Sequence, residues 1–309
     1  MGRLENGKWV VEEVNPRTLD GAYIRQVQNF RNTIDNSGDF LPERDRYHLY
    51  VSYACPWAHR TLIMRELKGL SDIISLSIVS PDMLENGWSF HQDMEGVLAD
   101  TEFGCEYLKD VYVACFSGFS GRVTVPILLD KKPKTIVNNE SSEIVRIFNQ
   151  SFNGLTKNSD DFYPTVHQKE IDSVNADVYS NINNGVYLCG FARTQKAYDK
   201  AIENLYLSLG RMDQRLEGQD FLVGDQLTET DIRLYTTLVR FDLVYYFHFK
   251  CNVKKIKEFK NLHRYLKNLY EIPAFQKTTR LDHIKRHYYF SHDSINPFRI
   301  VPKGPPSIF

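Results

Sequence analysis

The stretch that most limits how this chain can fold is RYHLYVSYACPWAHRTLIMRELKGL, residues 46–70. Residues 47–53, YHLYVSY, alternate and are rich in aromatic and β-branched side chains, the pattern of a strand. Over 57–67 the apolar residues recur at helical spacing, and Lys68-Gly69 supplies a stop. A second apolar run, DIISLSIV at 72–79, reads as another strand. Strand, helix, strand at this spacing favours a parallel pair. The first strand runs straight into the helix, and the junction is Cys55-Pro56. A helix N-terminus presents unpaired N–H groups and the positive end of the dipole. A thiol placed there ionises more readily, and the thiolate is the nucleophile. Pro56 suits the first turn, where its missing N–H is not needed. A buried structural cysteine is the plain alternative, and the strand-Cys-Pro-helix order weighs against it.

Residues 81–121 form a long mixed segment containing ENGWSF and GFSG. Segments of that length are usually functional or mobile. RVTVPILLD (122–130) and KTIVNN (134–139) flank KKP and read as a hairpin, and ESSEIVRIFN (140–149) reads as a short helix. The order β-α-β-(insert)-β-β-α is that of a thioredoxin-like fold. The polar break FNGLTKNSDDFYP at 152–164 marks a domain boundary. Beyond it the chain reads as successive helices, including 194–216, 228–246 and 259–272, the last stopped by Pro273. Thr228, with Asp231 three residues on, forms a capping box. The expected fold is an α/β thioredoxin-like N-terminal domain plus an all-α C-terminal domain. The expected division is an extension at 1–45, the thioredoxin-like domain at 46–151, and the helical domain with a C-terminal tail at 165–309.

Composition narrows the partners. The 309 residues suffice for two domains. Lys+Arg is 38 and Asp+Glu is 39, which gives no bulk electrostatic reason to expect nucleic acid or a membrane surface. No apolar run reaches bilayer length, and residues 1–14 lack the apolar core of a secretory signal, so a cytoplasmic protein is expected. Five cysteines, at 55, 105, 115, 189 and 251, include no CxxC. This argues against a disulfide framework, a zinc ribbon or a dithiol motif. No metal is expected, and a cysteine that acts must act alone. His59 could pair with Cys55 one helical turn on, but a structural helix residue is the favoured reading.

Two further motifs bear on chemistry. In thioredoxin-like folds a proline before a strand is cis and lies beside the active-site cysteine. Pro126 in TVPIL fits, and Val125 would then offer its backbone groups to a peptide-like ligand. An edge-strand or bulge proline is the alternative. Glu140-Ser141 in NNESSE falls at a helix start, where a hydroxyl and free N–H groups suit a carboxylate. Glu140 could hold an ammonium. Taken alone, a plain helix cap is preferred there. Together the three describe a site for glutathione, with the thiol at Cys55, the cysteinyl backbone at Val125 and the γ-glutamyl end at Glu140-Ser141.

At this point the chain resembles a known family. The fold order and capping box look like a glutathione transferase, and the lone Cys-Pro-Trp-Ala looks like its omega-type, cysteine-based branch. Longer strings, HLYVSYACPWAHRT, GRVTVPILLDKKPKTIVNNESSEI, NNGVYLCGFARTQKAY, DIRLYTTLVRFDLVYYFHFKCN and the C-terminal HIKRHYY, resemble the glutathionyl-hydroquinone reductases, or xi-class glutathione transferases. The resemblance runs from about residue 45 to 305. It implies that Cys55 is the catalytic cysteine. Trp88, Arg122, Val123, Glu140 and Ser141 match glutathione contacts, with Pro126 beside them. Tyr187, Tyr245 and Tyr288 match tyrosines lining a quinone pocket, and Tyr289 is the adjacent alternative to Tyr288. A homodimer is implied. The chain departs from the family at Cys189 and at Phe298-Arg299.

The implied reaction is reductive deglutathionylation. The Cys55 thiolate attacks the glutathione sulfur of a glutathionyl-hydroquinone, and the ring leaves with a proton from a tyrosine. A second glutathione then releases glutathione disulfide from the Cys55 mixed disulfide. Glutathione is a co-substrate, and no other cofactor is implied. An omega-type thioltransferase or dehydroascorbate reductase would share Cys55, Pro126 and Glu140-Ser141 without requiring the HYY segment. A non-catalytic glutathione-transferase-like interaction module ranks lower, because Cys55 keeps its whole setting.

Overall fold

Parallel strands need a crossover between them, and here a helix that begins at the cysteine supplies it. The computed structural model describes residues 2–11, 16–156 and 158–305. Residues 1 and 12–15 of the expected extension, and 306–309 of the tail, lie outside the described residues. The strands are β1 (Gly2–Glu5), β2 (Lys8–Val11), β3 (Tyr47–Val51), β4 (Ile74–Ile78), β5 (Ile127–Asp130) and β6 (Thr135–Asn138). The helices are α1 (Pro56–Leu67), α2 (Leu108–Cys115), α3 (Ser141–Gln150), α4 (Gln168–Asp177), α5 (Gly185–Gly190), α6 (Gln195–Arg215), α7 (Glu229–Arg240), α8 (Tyr246–His248), α9 (Lys260–Glu271), α10 (Pro273–Thr278) and α11 (Leu281–Ser291).

By packing the chain falls into two compact units, neither of them continuous in sequence. The first comprises Met1–Val14, Val27–Asp160 and Thr278–Ser291; the second comprises Asn15–Gln26, Asp161–Lys277 and His292–Phe309. The first unit thus takes α11 from far down the chain.

The first unit is built on a four-stranded sheet in the order β4-β3-β5-β6. β3 runs parallel to β4, with Tyr47 opposite Ile74 and Val51 opposite Ile78. It runs antiparallel to β5, which turns into β6 as a hairpin. Every residue of β3 is buried, so the strand is covered on both faces. The one polar residue in it, His48, is satisfied by Ser75 Oγ at 2.7 Å and Ser77 Oγ at 2.9 Å. α1 ends as expected at Gly69, whose φ of +64° is a left-handed conformation that glycine adopts without strain. The Gly69 and Leu70 N–H groups close the last turn on the Glu66 and Arg65 carbonyls.

Some expectations change. The strand expected over 122–130 begins only at Ile127, because Pro126 has no N–H to give a ladder. The 81–121 segment contains a helix, α2, and residues 2–11 form an antiparallel hairpin, neither of which the sequence pattern marks. Pro273 does follow the end of α9, and it also opens α10 as its first residue.

The second unit is helical. Its longest helix, α6, buries Ala197, Ala201, Leu205, Leu209 and Met212 along one stripe. The capping box forms at the head of α7: the Asp231 carboxylate accepts from the Thr228 N–H at 2.8 Å and also from Leu222 N–H and Tyr265 OH. The helix expected over 228–246 is interrupted by a π-helical turn at Phe241–Tyr245. A second π-helical turn, Val178–Asn183, precedes α5. Such turns are rare and often lie at functional sites. Here one contains Tyr245 and the other leads into the helix that carries Tyr187.

Candidate active site

Cys55 is the N-cap of α1, with φ −75° and ψ 119°, and Pro56 occupies the first helical position. The backbone therefore turns from strand to helix at the thiol, and the residue stays partly exposed. The thiol reaches the Val125 carbonyl, with Sγ 3.7 Å from the oxygen. The Val125–Pro126 peptide bond is cis, as the sequence leads one to expect. His59 is fully buried and meets the Thr278 hydroxyl at 3.1 Å, the structural role favoured for it. Other thiols differ from Cys55 in setting. Burial pushes Cys105 up to about 11 and Cys115 up to about 12, and it raises Cys251 as well.

Glu140 is the N-cap of α3. Its Oε1 accepts from the Ser142 N–H at 3.0 Å and from the Ser142 hydroxyl at 2.9 Å, so the plain capping role is present. The Glu140 N–H is itself held by Asn138 Oδ1 at 2.7 Å. Ser141 is buried at the helix start. Arg122 and Val123 lie in the extended stretch before Pro126, with Arg122 partly exposed and Val123 buried. Thr124 between them and the proline is tied to Gln28 Oε1 and to Tyr112 OH.

Trp88 is buried, and its ring stacks on His287 of α11, centroids 4.8 Å apart and planes at 17°. His287 is fixed in turn: its Nδ1 is 2.8 Å from the Pro81 carbonyl. Arg286 forks onto the Asp82 carboxylate at 2.7 and 2.8 Å, and Ser291 Oγ donates to the Pro81 carbonyl. α11 therefore holds the start of the long segment that carries Trp88. The same helix bears Tyr288 and Tyr289, both buried, with Tyr288 edge-on to His287. Burial pushes the Tyr289 phenol up to about 12.

In the second unit Tyr187 and Tyr245 stand in one aromatic cluster. Tyr187 lies 6.2 Å from Tyr245 and 5.3 Å from Phe249, and Phe249 stacks on Tyr245 at 5.4 Å. Phe191 and His292 extend the cluster. Arg25 lies 4.7 Å above the Tyr187 ring, with Nε bonded to Asn184 Oδ1 at 2.8 Å.

The N-terminal residues 54–151 match the model of the glutathione S-transferase N-terminal domain, and residues 195–268 match that of the C-terminal domain. The glutathionyl-hydroquinone reductase YqjG of Escherichia coli is 48% identical over 99% of this chain and 95% of its own. The glutathione transferase Xi of Phanerochaete chrysosporium superposes with a TM-score of 0.93 at 51% identity, over 95% of this chain and 96% of that one. This chain belongs to the Xi-class glutathione transferases. The chain is also similar to the glutathione-bound structure of YqjG, a glutathione transferase homolog from Escherichia coli K-12, with a TM-score of 0.88 at 48% identity, over 98% and 96% of the two chains.

Seen as a Xi-class chain, the first unit gathers Cys55, Trp88, Arg122, Val123, Pro126, Glu140, Ser141, Tyr288 and Tyr289, and the second holds Tyr187 and Tyr245. Reading the sequence alone passes over His287, Phe249 and Arg25. Their signal is weak, because ring stacking has no fixed spacing along a chain. No group of three or more His, Cys, Asp or Glu among the described residues is placed to hold a metal. No helix among them is long and apolar enough to cross a membrane.

Proposed function

We propose that this chain reduces glutathionyl-hydroquinones to hydroquinones, with Cys55 as nucleophile and glutathione as reductant. The observation that carries the reading is the placement of Cys55 as N-cap of α1 with its Sγ 3.7 Å from the Val125 carbonyl. The helix N-terminus stabilises a thiolate. Val125 offers its backbone to the cysteinyl part of glutathione. The bonds of the Glu140 carboxylate given above all go to Oε1, which leaves Oε2 for the γ-glutamyl ammonium. The γ-glutamyl carboxylate is assigned to the start of α3, at the Ser141 N–H and hydroxyl and the positive end of the helix dipole. Trp88, Arg122 and Val123 complete the glutathione contacts.

In the first step a bond forms between Cys55 sulfur and the glutathione sulfur, and the carbon–sulfur bond to the ring breaks. The electron pair stays on the ring carbon, which takes a proton from a phenol assigned to Tyr187 or Tyr288. Tyr245 is assigned to the ring hydroxyls. The products are a hydroquinone and a Cys55–glutathione disulfide. In the second step the thiol of a second glutathione gives its proton to the phenolate left by the first, and its thiolate attacks that disulfide, releases glutathione disulfide and restores the Cys55 thiolate. The relative named glutathionyl-hydroquinone reductase and the glutathione-bound structure of YqjG support this assignment.

The reading carries further proposals. Along the sequence, residues 46–151 are the glutathione-binding domain and 165–309 the helical domain, with 1–45 as an extension, although by packing Thr278–Ser291 and most of the extension go with the first unit. The enzyme works as a cytoplasmic homodimer, without metal, nucleic acid or membrane as partner. The test is turnover of glutathionyl-menadiol with excess glutathione. Release of menadiol with glutathione disulfide in equal amounts is expected. Thiol transfer to small disulfides without menadiol release would replace the reading by the general thioltransferase. No turnover and no glutathione binding would leave an interaction module.

A further inference from the structure

Residues 2–11 have no part in the reaction above, yet their bonds run to the two loops that carry Trp88 and Arg122. Leu4 is buried and forms an antiparallel bridge with Gly121, each N–H donating to the other's carbonyl at 2.9 Å. Asn6 N–H donates to Ser120 Oγ at 2.8 Å, and Gly7 N–H to the Phe119 carbonyl at 3.0 Å. Gly7 has a φ of +77°, and a Cβ there would fall 2.0 Å from the Ser117 carbonyl oxygen. Only glycine allows so close an approach. The chain is thus zipped to the hairpin up to the residue before Arg122.

β2 grips the other loop. Trp9 Nε1 donates to the Glu85 carbonyl at 2.9 Å. The indole lies against Gly87, where a Cβ would sit 3.1 Å from the ring. Lys109 Nζ lies 5.3 Å from the centre of the Trp9 ring and bonds Asn86 Oδ1 at 2.8 Å. Trp9 therefore fixes the turn over 84–87 from which Trp88 emerges, and His287 fixes Trp88 from the other direction. Both loops are irregular backbone, and such segments hold a ligand well only when a supporting shell locks them.

We propose that the hairpin of residues 2–11 is a positioning element of the glutathione site, with Trp9 as its central positioning residue. The proposal rests on Trp88 and Arg122 being glutathione contacts. Its test is calorimetric titration of the full-length protein with S-methylglutathione, which cannot enter a mixed disulfide. Trp9→Ala is expected to raise the Kd about fivefold, and Trp9→Phe, which keeps a ring but loses the donor, about twofold. The KM for glutathionyl-menadiol is expected to rise in parallel, with kcat held within about twofold, the signature of lost binding without lost chemistry. If circular dichroism shows Trp9→Ala unfolded, Trp9→Phe decides. Folded variants that bind S-methylglutathione as the wild type does would overturn the proposal. A wild type that does not bind it would overturn the glutathione reading beneath it.

Discussion

Cys55 and Tyr187 are placed by different means. Cys55 takes its position from backbone: the strand ends, Pro56 starts the helix, and the Val125 carbonyl lies opposite. Glu140 and Ser141 are placed likewise, as the cap and first residue of α3. Tyr187 takes its position from other rings, Tyr245, Phe249 and Phe191, and from Arg25 above it. Backbone placement tolerates little change in residue type but leaves a local signature. Ring packing tolerates more variation and leaves almost none. A family can therefore keep its glutathione chemistry while its second-substrate surface drifts.

The largest expected effect breaks the backbone-placed half. Cys55→Ser keeps the helix start but replaces the thiolate by a hydroxyl, and menadiol release is expected to fall by roughly a thousandfold or more. Its melting temperature is expected to stay near that of the wild type. Reductase activity that survives would show that Cys55 is not the nucleophile. The ring-placed half breaks through packing. Phe249 is fully buried between Tyr187, Tyr245 and Phe191. Phe249→Ala is expected to cost about 4 kcal/mol in denaturant unfolding, the range for a buried phenylalanine. A loss below about 1 kcal/mol would mean that ring contacts do not hold this cluster.

A pH effect sets the sheet unit apart. Burial lowers His48 from its ordinary 6.5 to about 4. The ring nitrogens meet Ser75 Oγ at 2.7 Å and Ser77 Oγ at 2.9 Å, and Nδ1 also lies 3.3 Å from Glu102 Oε1, yet the loss of hydration on burial outweighs the nearby carboxylates. Between pH 6.5 and pH 4 the unfolded chain binds a proton that the folded chain refuses, so stability falls as the pH is lowered through that window. The shift corresponds to about 3 kcal/mol. Urea unfolding at pH 7 and at pH 4.5 measures it, and His48→Gln is expected to flatten the difference. The smallest effect concerns the proton donor. Tyr187→Phe is expected to lower kcat about tenfold while leaving the affinity for S-methylglutathione unchanged. A weakened glutathione affinity in that variant would blur the division between the two halves.

The same contrast explains what could be read from the chain in advance. The Cys-Pro junction, the proline before β5, the α3 cap and the Thr228–Asp231 box are short patterns with one physical meaning each, and the structure forms all of them. The parallel β3–β4 pair follows from the single helix between them. The hairpin at 2–11 escaped because its strands are four residues long and half exposed, too short to show a period. Its turn, Asn6-Gly7, is the one local signal that pointed to it. α11 packs against Pro81 and Asp82, some 200 positions earlier, and no local pattern announces so distant a contact. The tyrosines of the ring cluster stand out only by resemblance to a family, since with 18 tyrosines in the chain nothing local marks them.

The account stands on Cys55 forming a disulfide with glutathione as the hydroquinone leaves. The most direct test mixes enzyme with one equivalent of glutathionyl-menadiol, without free glutathione, and takes the intact mass followed by peptide mapping. The expected result is one glutathione per chain, on Cys55, with one menadiol released and the adduct cleared by added glutathione. Menadiol release from an unmodified enzyme, or an adduct on any other cysteine, would contradict it.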